Sequence, residues 1–310
     1  MQDRRNFLKT LGGAGLLAVM SGIPLRLLAN KSDDIIKISI LSTNDVHSRI
    51  DPFPMTDKRN PGMAGFARRA AMIKDIRNKE EHILLFDSGD IFQGTPYFNM
   101  YGGELELKLM SEMGYDAATM GNHDFDNGLE GFDKQLPHAD FPFLTSNYDF
   151  SNTLLDGKTE KSKIFNKGPI KIGVFGLGVE LEGLVGKDNY KETKYLDPIE
   201  TGNKMANKLR AEGCNLIICI SHLGHSYESD RVSDQVLAKQ SENIDLVLGG
   251  HTHTFLDQPD EIINQIGKKV WVSQNGWGGI LLGKIDFYFS KKDKSNILTI
   301  NTTKKVKSQD

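Results

Sequence analysis

Five short segments of this chain carry side chains of the types that bind metal ions. The set comprises Asp45, His47, Asp90, Asn122, His222, His251 and His253. Carboxylate, imidazole and amide donors without a thiolate suit borderline divalent ions such as Zn, Mn, Fe or Co. Seven candidate ligands are too many for one ion, so we expect two ions that share one bridging aspartate. Each motif alone is commonplace on protein surfaces, and the prediction depends on all five together.

Each of these segments directly follows a short apolar run. Such runs indicate strands buried on both faces. They occupy Ile36–Leu41, Ile83–Phe86, Ala117–Met120, Phe141–Leu144, Ile170–Leu177, Leu216–Ile220, Leu246–Leu248 and Val270–Val272. Helical patterns lie between several of them, which favours an α/β fold with a largely parallel sheet. Ligands of such sheets bind beyond the carboxyl ends of the strands, so we expect the five segments to meet in one crevice.

The helical and closing segments give further expectations. Leu105, Leu109 and Met113 are spaced to share one helix face. Asp197 followed by proline predicts a helix start, with the aspartate as N-cap. Alternation of apolar and polar residues over Lys284–Phe289 and Ile297–Lys304 predicts antiparallel strands. We find no linker between these segments and expect one domain over residues 30–310.

Composition and charge exclude several classes of protein. The chain is 38% hydrophobic and 25% charged, which is typical of a folded globular domain. A net charge of -3 gives no basic field for nucleic acid, so we expect no nucleic-acid partner. The sequence contains no uncharged apolar run long enough for a multi-span membrane protein. Cys214 and Cys219 lie on or beside one predicted strand, too far apart to pair, and should be free buried thiols.

Residues 1–29 have the anatomy of a targeting segment. Arg4 and Arg5 precede Phe7-Leu8-Lys9, and an uncharged stretch runs from Leu11 to Ile23. Paired arginines in this setting resemble the twin-arginine export signal, which predicts a periplasmic or otherwise exported protein. Ala29 is the one small residue at the expected cleavage site, so a retained membrane anchor is the alternative.

The motifs resemble the signature blocks of a known superfamily. They are Asp45-Val46-His47, Gly89-Asp90 with Gln93-Gly94-Thr95, Gly121-Asn122-His123-Asp124, His222 and Gly250-His251-Thr252-His253. This set is similar to that of the calcineurin-like metallophosphoesterases, and the flanking residues resemble the 5′-nucleotidase branch. The resemblance implies a four-layer α/β/β/α sandwich and hydrolysis of a phosphate monoester, foremost a nucleoside 5′-monophosphate.

The same resemblance implies a role for each residue. Asp45, His47, Asp90 and His253 would hold the first ion, and Asp90, Asn122, His222 and His251 the second. Hydroxide held between the two ions would attack phosphorus in line. His123, oriented by Asp126, would face the phosphate as a catalytic residue without binding metal. Asp124 would support the turn or the metal ligands.

One departure from the family pattern leaves the substrate open. Typical members of the 5′-nucleotidase branch carry a second, C-terminal domain that supplies an aromatic pair for the base and arginines for the phosphate. This sequence ends at Asp310 before such a domain, so a separate chain could supply the substrate half. The alternatives are a nucleotide-sugar or cyclic-nucleotide phosphodiesterase, a sulfur-ester hydrolase, or a metal-binding subunit that needs a partner.

Four aromatic residues close to Asp90 are candidates for a local base-stacking site. They are Phe92, Tyr97, Phe98 and Tyr101. Ordinary packing within the loop is the competing and favoured interpretation.

Overall fold

The computed structural model describes residues 34–307. The targeting segment predicted for residues 1–29 lies outside the described residues. Between residues 34 and 307 no helix has the length and apolar character needed to cross a membrane. Cys214 and Cys219 are free and buried, as expected.

Two six-stranded sheets form the centre of the molecule. The first contains β1 (Ile35–Thr43), β2 (Ile83–Asp87), β3 (Ala117–Ala118), β12 (Leu281–Ser290), β13 (Asn296–Asn301) and β14 (Lys304–Lys305). Its order is β13-β12-β1-β2-β3, with β14 also paired to β12. The first three strands are parallel, while β12 and β13 are antiparallel, which confirms the prediction for the closing strands.

The second sheet is parallel at its centre and antiparallel at both edges. It contains β5 (Ser162–Lys167), β6 (Ile170–Leu177), β8 (Leu216–Ser221), β9 (Leu246–Leu248), β10 (Asp260–Ile263) and β11 (Lys269–Ser273). Its order is β10-β11-β9-β8-β6-β5. A separate two-stranded sheet pairs β4 (Tyr148–Asp149) with β7 (Lys194–Tyr195).

Helices cover the outer faces of the two sheets. They are α1 (Phe66–Lys79), α2 (Pro96–Tyr101), α3 (Glu104–Met113), α4 (Gly128–Gln135), α5 (Lys187–Tyr190), α6 (Pro198–Ala211) and α7 (Asp234–Lys239), with 3₁₀ turns at His123–Phe125 and Leu136–His138. Asp197 caps α6 as predicted, because its carboxylate accepts the Glu200 backbone N–H at 2.7 Å.

Three apolar cores separate four layers of structure. One core joins α1, α3 and α4 to the outer face of the first sheet. A second lies between the sheets, where Ile38, Ile40 and Phe287 of the first meet Ile172 and Ile218 of the second. A third joins the outer face of the second sheet to α6 and α7. The α/β/β/α sandwich is therefore confirmed, whereas the single parallel sheet inferred from the apolar runs is two sheets.

Two local predictions differ from the structure, one wholly and one in part, for identifiable reasons. Residues 141–144 form single bridges rather than a strand, because Pro142 has no N–H to donate to a ladder. In α3 Met113 is buried and Leu109 packs against the core, as the spacing predicts, but the most buried part of the face also runs through Glu106, Leu107 and Met110. Glu106 is buried because its carboxylate accepts a hydrogen bond from the buried Ser48 hydroxyl.

Candidate metal centre

The carboxyl ends of parallel strands from both sheets meet at one edge of the sandwich. Asp45 and His47 follow β1, Asp90 follows β2, and Asn122 follows β3 in the first sheet. The second sheet contributes His222 after β8, and His251 and His253 after β9. This is the crevice that the order of strands and polar segments predicts, and both sheets build it.

Four of these side chains form what we call the outer cluster: Asp45, His47, Asp90 and His253, with one ligand atom of each within 4.8 Å of the others. The Nε2 atoms of His47 and His253 lie 3.0 Å apart, and His253 Nε2 lies 3.4 Å from Asp45 Oδ1. The His253 side chain is 40% exposed, so this cluster opens to solvent.

The inner cluster consists of Asp90, His222 and His251, again within 4.8 Å of one another. His222 Nε2 lies 3.1 Å from Asp90 Oδ2, and both side chains are buried. Burial, followed by the charge of His222, lowers the pKa of His251 to about 4. Its imidazole is therefore neutral, which is the form that ligates metal. Asp90 belongs to both clusters, as a bridging ligand must.

The hydrogen bonds around the imidazoles fit a pair of cations. His222 Nδ1 donates to the Ser88 carbonyl at 2.6 Å, and its buried Nε2, 3.1 Å from Asp90 Oδ2, has no hydrogen-bond partner. Burial lowers the pKa of His222, but the nearby charge of Asp90 outweighs it and raises that pKa to about 10, so a bound ion would take the place of the proton on Nε2. His47 Nδ1 faces the Phe92 carbonyl at 3.3 Å, so its Nε2 lone pair points at His253. The buried Asn122 Oδ1 also lacks a partner. A cation between these donor atoms would satisfy them.

The backbone of the ligand segments adopts an uncommon conformation. Five candidate ligands have positive φ angles, at +48° for Asp45, +49° for His47, +54° for Asp90, +73° for His251 and +53° for His253. Residues other than glycine rarely adopt this left-handed region, and clusters of such residues mark functional sites. The conformation turns the side chains of these short loops toward the crevice.

Asp124 ties the Asp90 loop to the loop after β3. Its carboxylate accepts the backbone N–H groups of Asp90, Ile91, Phe92 and Gly121 at 2.8–3.1 Å. Burial, with a further contribution from the charge of Asp90, raises the pKa of Asp124 to about 7. This geometry matches the turn-supporting role expected for the residue.

His123 and Asp126 lie at the mouth of the site. His123 Nδ1 is 3.0 Å from Asp126 Oδ2, and this hydrogen bond is the main cause that raises the pKa of His123. The His123 ring centroid lies 5.3 Å from that of His47, and its backbone N–H donates to Asp90 Oδ1 at 2.8 Å. The pair is therefore fixed beside the outer cluster.

Comparison with known proteins identifies the family and the fold. The family model for the calcineurin-like phosphoesterases matches residues 38–255, a range that contains every candidate ligand described above. The chain belongs to the calcineurin-like phosphoesterase family. Snake venom 5′-nucleotidase of Crotalus adamanteus is 35% identical over 84% of this chain and 46% of its own length. For 5′-nucleotidase of Bos taurus these values are 32%, 85% and 48%.

A solved structure agrees with these relatives. The 5′-nucleotidase precursor of Thermus thermophilus superposes with a TM-score of 0.79 at 28% identity, over 87% of this chain and 54% of that protein. The chain thus spans about half the length of these relatives.

Two polar residues of this phosphoesterase hold the ligand loops together. Asn44 donates to Asp45 Oδ2 at 2.6 Å and accepts the Asn275 backbone N–H. Gln274 donates to the Gly250 carbonyl at 2.6 Å and accepts from the Thr254 backbone N–H. Partners of this kind orient metal ligands, and both residues are absent from the set predicted from the sequence.

A cleft of about 330 Å³ leads to the outer cluster of the phosphoesterase. Its lining residues are His47, Arg49, Gln93, Gly94, His123, His253 and Trp277. Arg49 and Trp277 were absent from the predicted site. Two signals point to them: Arg49 is two residues from His47, and Trp277 follows β11, which is parallel to β9 and ends at the same edge.

The four aromatic residues considered for base stacking do not line this cleft. Phe92 and Phe98 are buried in the core beneath the first sheet's helices. Tyr97 donates its hydroxyl to Asp51 at 2.7 Å, and Tyr101 is 47% exposed. Ordinary packing is therefore confirmed for Phe92 and Phe98.

Proposed function

We propose that this chain hydrolyses phosphate monoesters, foremost nucleoside 5′-monophosphates, with the help of two divalent ions. The observation that carries the proposal is the pair of ligand clusters that share Asp90 and open into a cleft beside His123. Membership of the phosphoesterase family and the names of the relatives support the reaction and the substrate class.

The outer cluster would hold the first ion through Asp45, His47, Asp90 and His253. The inner cluster would hold the second through Asp90, His222 and His251, together with Asn122, whose Oδ1 is free to bind. Zn, Mn, Fe and Co all suit this mixture of donors. Such ions, when bound, lower the pKa of water and neutralise phosphoryl oxygens.

His123 and Asp126 supply the chemistry that belongs to the protein alone. Asp126 accepts a hydrogen bond from His123 Nδ1, which orients the imidazole and stabilises its protonated form. The Nε2–H of His123, in the lining of the cleft, then donates to the leaving oxygen or to a phosphoryl oxygen. The exclusion of His123 from both clusters is consistent with this role.

The proposal is tested with the purified, metal-loaded chain and three esters. We expect hydrolysis of AMP and p-nitrophenyl phosphate, little hydrolysis of bis(p-nitrophenyl) phosphate, and loss of activity with a chelator. A preference for the diester would favour the phosphodiesterase alternative. A chain that binds two ions yet hydrolyses none of the esters would instead be a metal-binding subunit that needs a separate substrate-binding chain.

We infer that residues 1–29 direct export to the periplasm through the twin-arginine route. The paired Arg4 and Arg5 support this inference. Changing both to lysine should trap the protein in the cytoplasm, as measured by cell fractionation and immunoblotting. Unchanged export of the double variant would contradict the twin-arginine route, and membrane association of the wild type would favour a retained anchor.

A further inference from the structure

Two aromatic rings beside the cleft link the candidate metal ligand His253 to the guanidinium of Arg49. The ring of His253 stacks on Trp277, with centroids 5.8 Å apart and planes 13° apart. Trp277 meets the ring of Phe53 edge to face at 5.4 Å. The guanidinium carbon of Arg49 lies 4.3 Å from the centroid of Phe53.

The Arg49 side chain is placed to bind an anion. Its Nε is buried without a hydrogen-bond partner. Over residues 34–307, no carboxylate oxygen lies within 4.0 Å of its guanidinium, the limit for an ion pair. Burial lowers the pKa of Arg49, and the more distant Asp57 and Asp51 raise it. The Arg49 guanidinium is charged and, among the described residues, has no acidic partner within that distance. Its planar set of N–H donors can bind a phosphate through two parallel hydrogen bonds.

The Trp277 loop is fixed to the metal centre by backbone hydrogen bonds. Gly278 donates its N–H to the Asp45 carbonyl at 2.7 Å, and Asn44 donates to the Gly276 carbonyl at 2.7 Å. Gly276 and Gly278 have φ angles of +68° and +63°, a conformation that glycine adopts without strain. Trp277 is half-buried, so its position is set while part of the indole remains open to the cleft.

We propose that Arg49 and Trp277 form a substrate subsite carried by this chain itself. Arg49 binds oxygens of the substrate phosphate, and the Trp277 indole contacts a planar, aromatic part of the leaving group, such as the base of a nucleoside. The cleft has the size of a small-molecule site. The inference rests on the proposed phosphomonoesterase function. It assigns the selection of the substrate to Trp277, so that no second chain is needed for it.

The first test compares AMP with ribose 5-phosphate, which has the same reacting bond and no base. Trp277→Leu should lower kcat/KM for AMP by about 5- to 150-fold more than it lowers kcat/KM for ribose 5-phosphate, the range that base stacking supplies. Trp277→Phe should retain part of the preference. Tyr101→Leu is the matched control, because Tyr101 is exposed outside the cleft and should leave both values unchanged.

Equal losses for AMP and ribose 5-phosphate would overturn the role of Trp277 and leave it as a support for His253. Elemental analysis of each variant separates substrate selection from support of His253. If Trp277 only selects the substrate, its substitution leaves two ions bound.

A second test uses fluorescence and needs no turnover. The chain has two tryptophans, and Trp271 packs against the core between the sheets. Adenosine should quench the fluorescence of the Trp271→Phe variant, in which Trp277 remains. It should not quench the Trp277→Leu variant. Equal quenching of both variants, or none in either, would contradict a nucleoside site at Trp277.

The third test concerns Arg49. Arg49→Gln should weaken inhibition by inorganic phosphate by about 10- to 100-fold, as expected for a lost charged hydrogen bond, without changing the preference for AMP over ribose 5-phosphate. Arg59→Gln removes an exposed charge from the neighbouring loop and serves as the control. Equal phosphate inhibition of the two variants would overturn the role of Arg49.

These outcomes separate the subsite from the proposed function. A wild-type chain that hydrolyses no phosphate ester would contradict the function, while adenosine quenching and calorimetric binding of inorganic phosphate would still decide the subsite.

Discussion

The inner and outer metal clusters share Asp90 but differ in their surroundings. His222 of the inner cluster is wholly buried and anchored to the Ser88 carbonyl. His253 of the outer cluster is 40% exposed and lines the cleft. A buried ligand set favours retention of an ion, whereas an exposed set lets substrate approach it. We therefore expect the inner ion to be held more tightly and the outer ion to exchange more readily.

The largest expected effect comes from Asp90→Asn, because this carboxylate serves both clusters. We expect loss of both ions and a fall in kcat/KM of more than about 10⁴-fold, since each ion supplies several kcal/mol to the transition state. Elemental analysis and AMP hydrolysis measure the two effects. Asp140→Asn, which changes an exposed carboxylate, is the control. A variant that kept two ions would show that Asp90 does not bridge.

Substitution of one histidine in each cluster tests directly whether the buried inner cluster and the exposed outer cluster differ. His222→Asn and His253→Asn should each leave one ion and lower kcat/KM by about 10³-fold. Only His222→Asn should also destabilise the fold, by about 1–3 kcal/mol, because it removes a buried hydrogen bond to Ser88. Chemical denaturation of the metal-free proteins measures this difference. Equal stabilities would mean that burial does not distinguish the clusters.

His123→Ala tests a residue that touches the outer side of the centre without belonging to a cluster. We expect both ions to remain and kcat to fall by about 10²-fold, the lower range for a lost general acid. Asp126→Asn should cause a smaller loss, because the imidazole stays in place but is less well oriented. If His123→Ala released an ion, the residue would be a ligand and its assigned role would be wrong.

The smallest effect is expected for Gln274, which supports the loop that carries one ligand of each cluster. Gln274→Ala removes the hydrogen bonds to the Gly250 carbonyl and the Thr254 N–H. Affinity for both ions should fall by about 10-fold, as for other residues that orient metal ligands. Titration with Mn in the presence of a competing chelator measures it. Gln265→Ala, on the exposed surface, should bind metal like the wild type.

Much of the fold could be predicted from the apolar runs, since strands buried on both faces are the strongest pattern in this sequence. The parallel strands β1, β2, β6, β8 and β9 match their predicted runs closely. The spacing of apolar residues does not reveal which strands pair. The division into two sheets could therefore be predicted only from the family resemblance. The part of the buried face of α3 that includes Glu106 could not be predicted, because a buried glutamate contradicts the pattern of apolar burial.

The candidate ligands could be predicted because their residue types are distinctive and strand ends bring them together. Trp277 and Arg49 could not be found in the same way. Neither residue type suggests a metal site, and their contact through Phe53 joins segments more than 200 residues apart in sequence. Trp277 nevertheless follows a strand, β11, and a position beyond a strand end is a signal that the sequence carries for it.

The left-handed backbone of five candidate ligands affects how quickly the metal-free protein would be degraded in the cell. Each such residue costs about 1 kcal/mol relative to the right-handed conformation. The metal-free chain therefore retains unfavourable conformational energy in its loops, and ions that bind only the folded state stabilise it by mass action. Unloaded molecules would open more often and be degraded sooner by proteases. Metal scarcity would thus lower the abundance of the protein as well as the activity of each molecule.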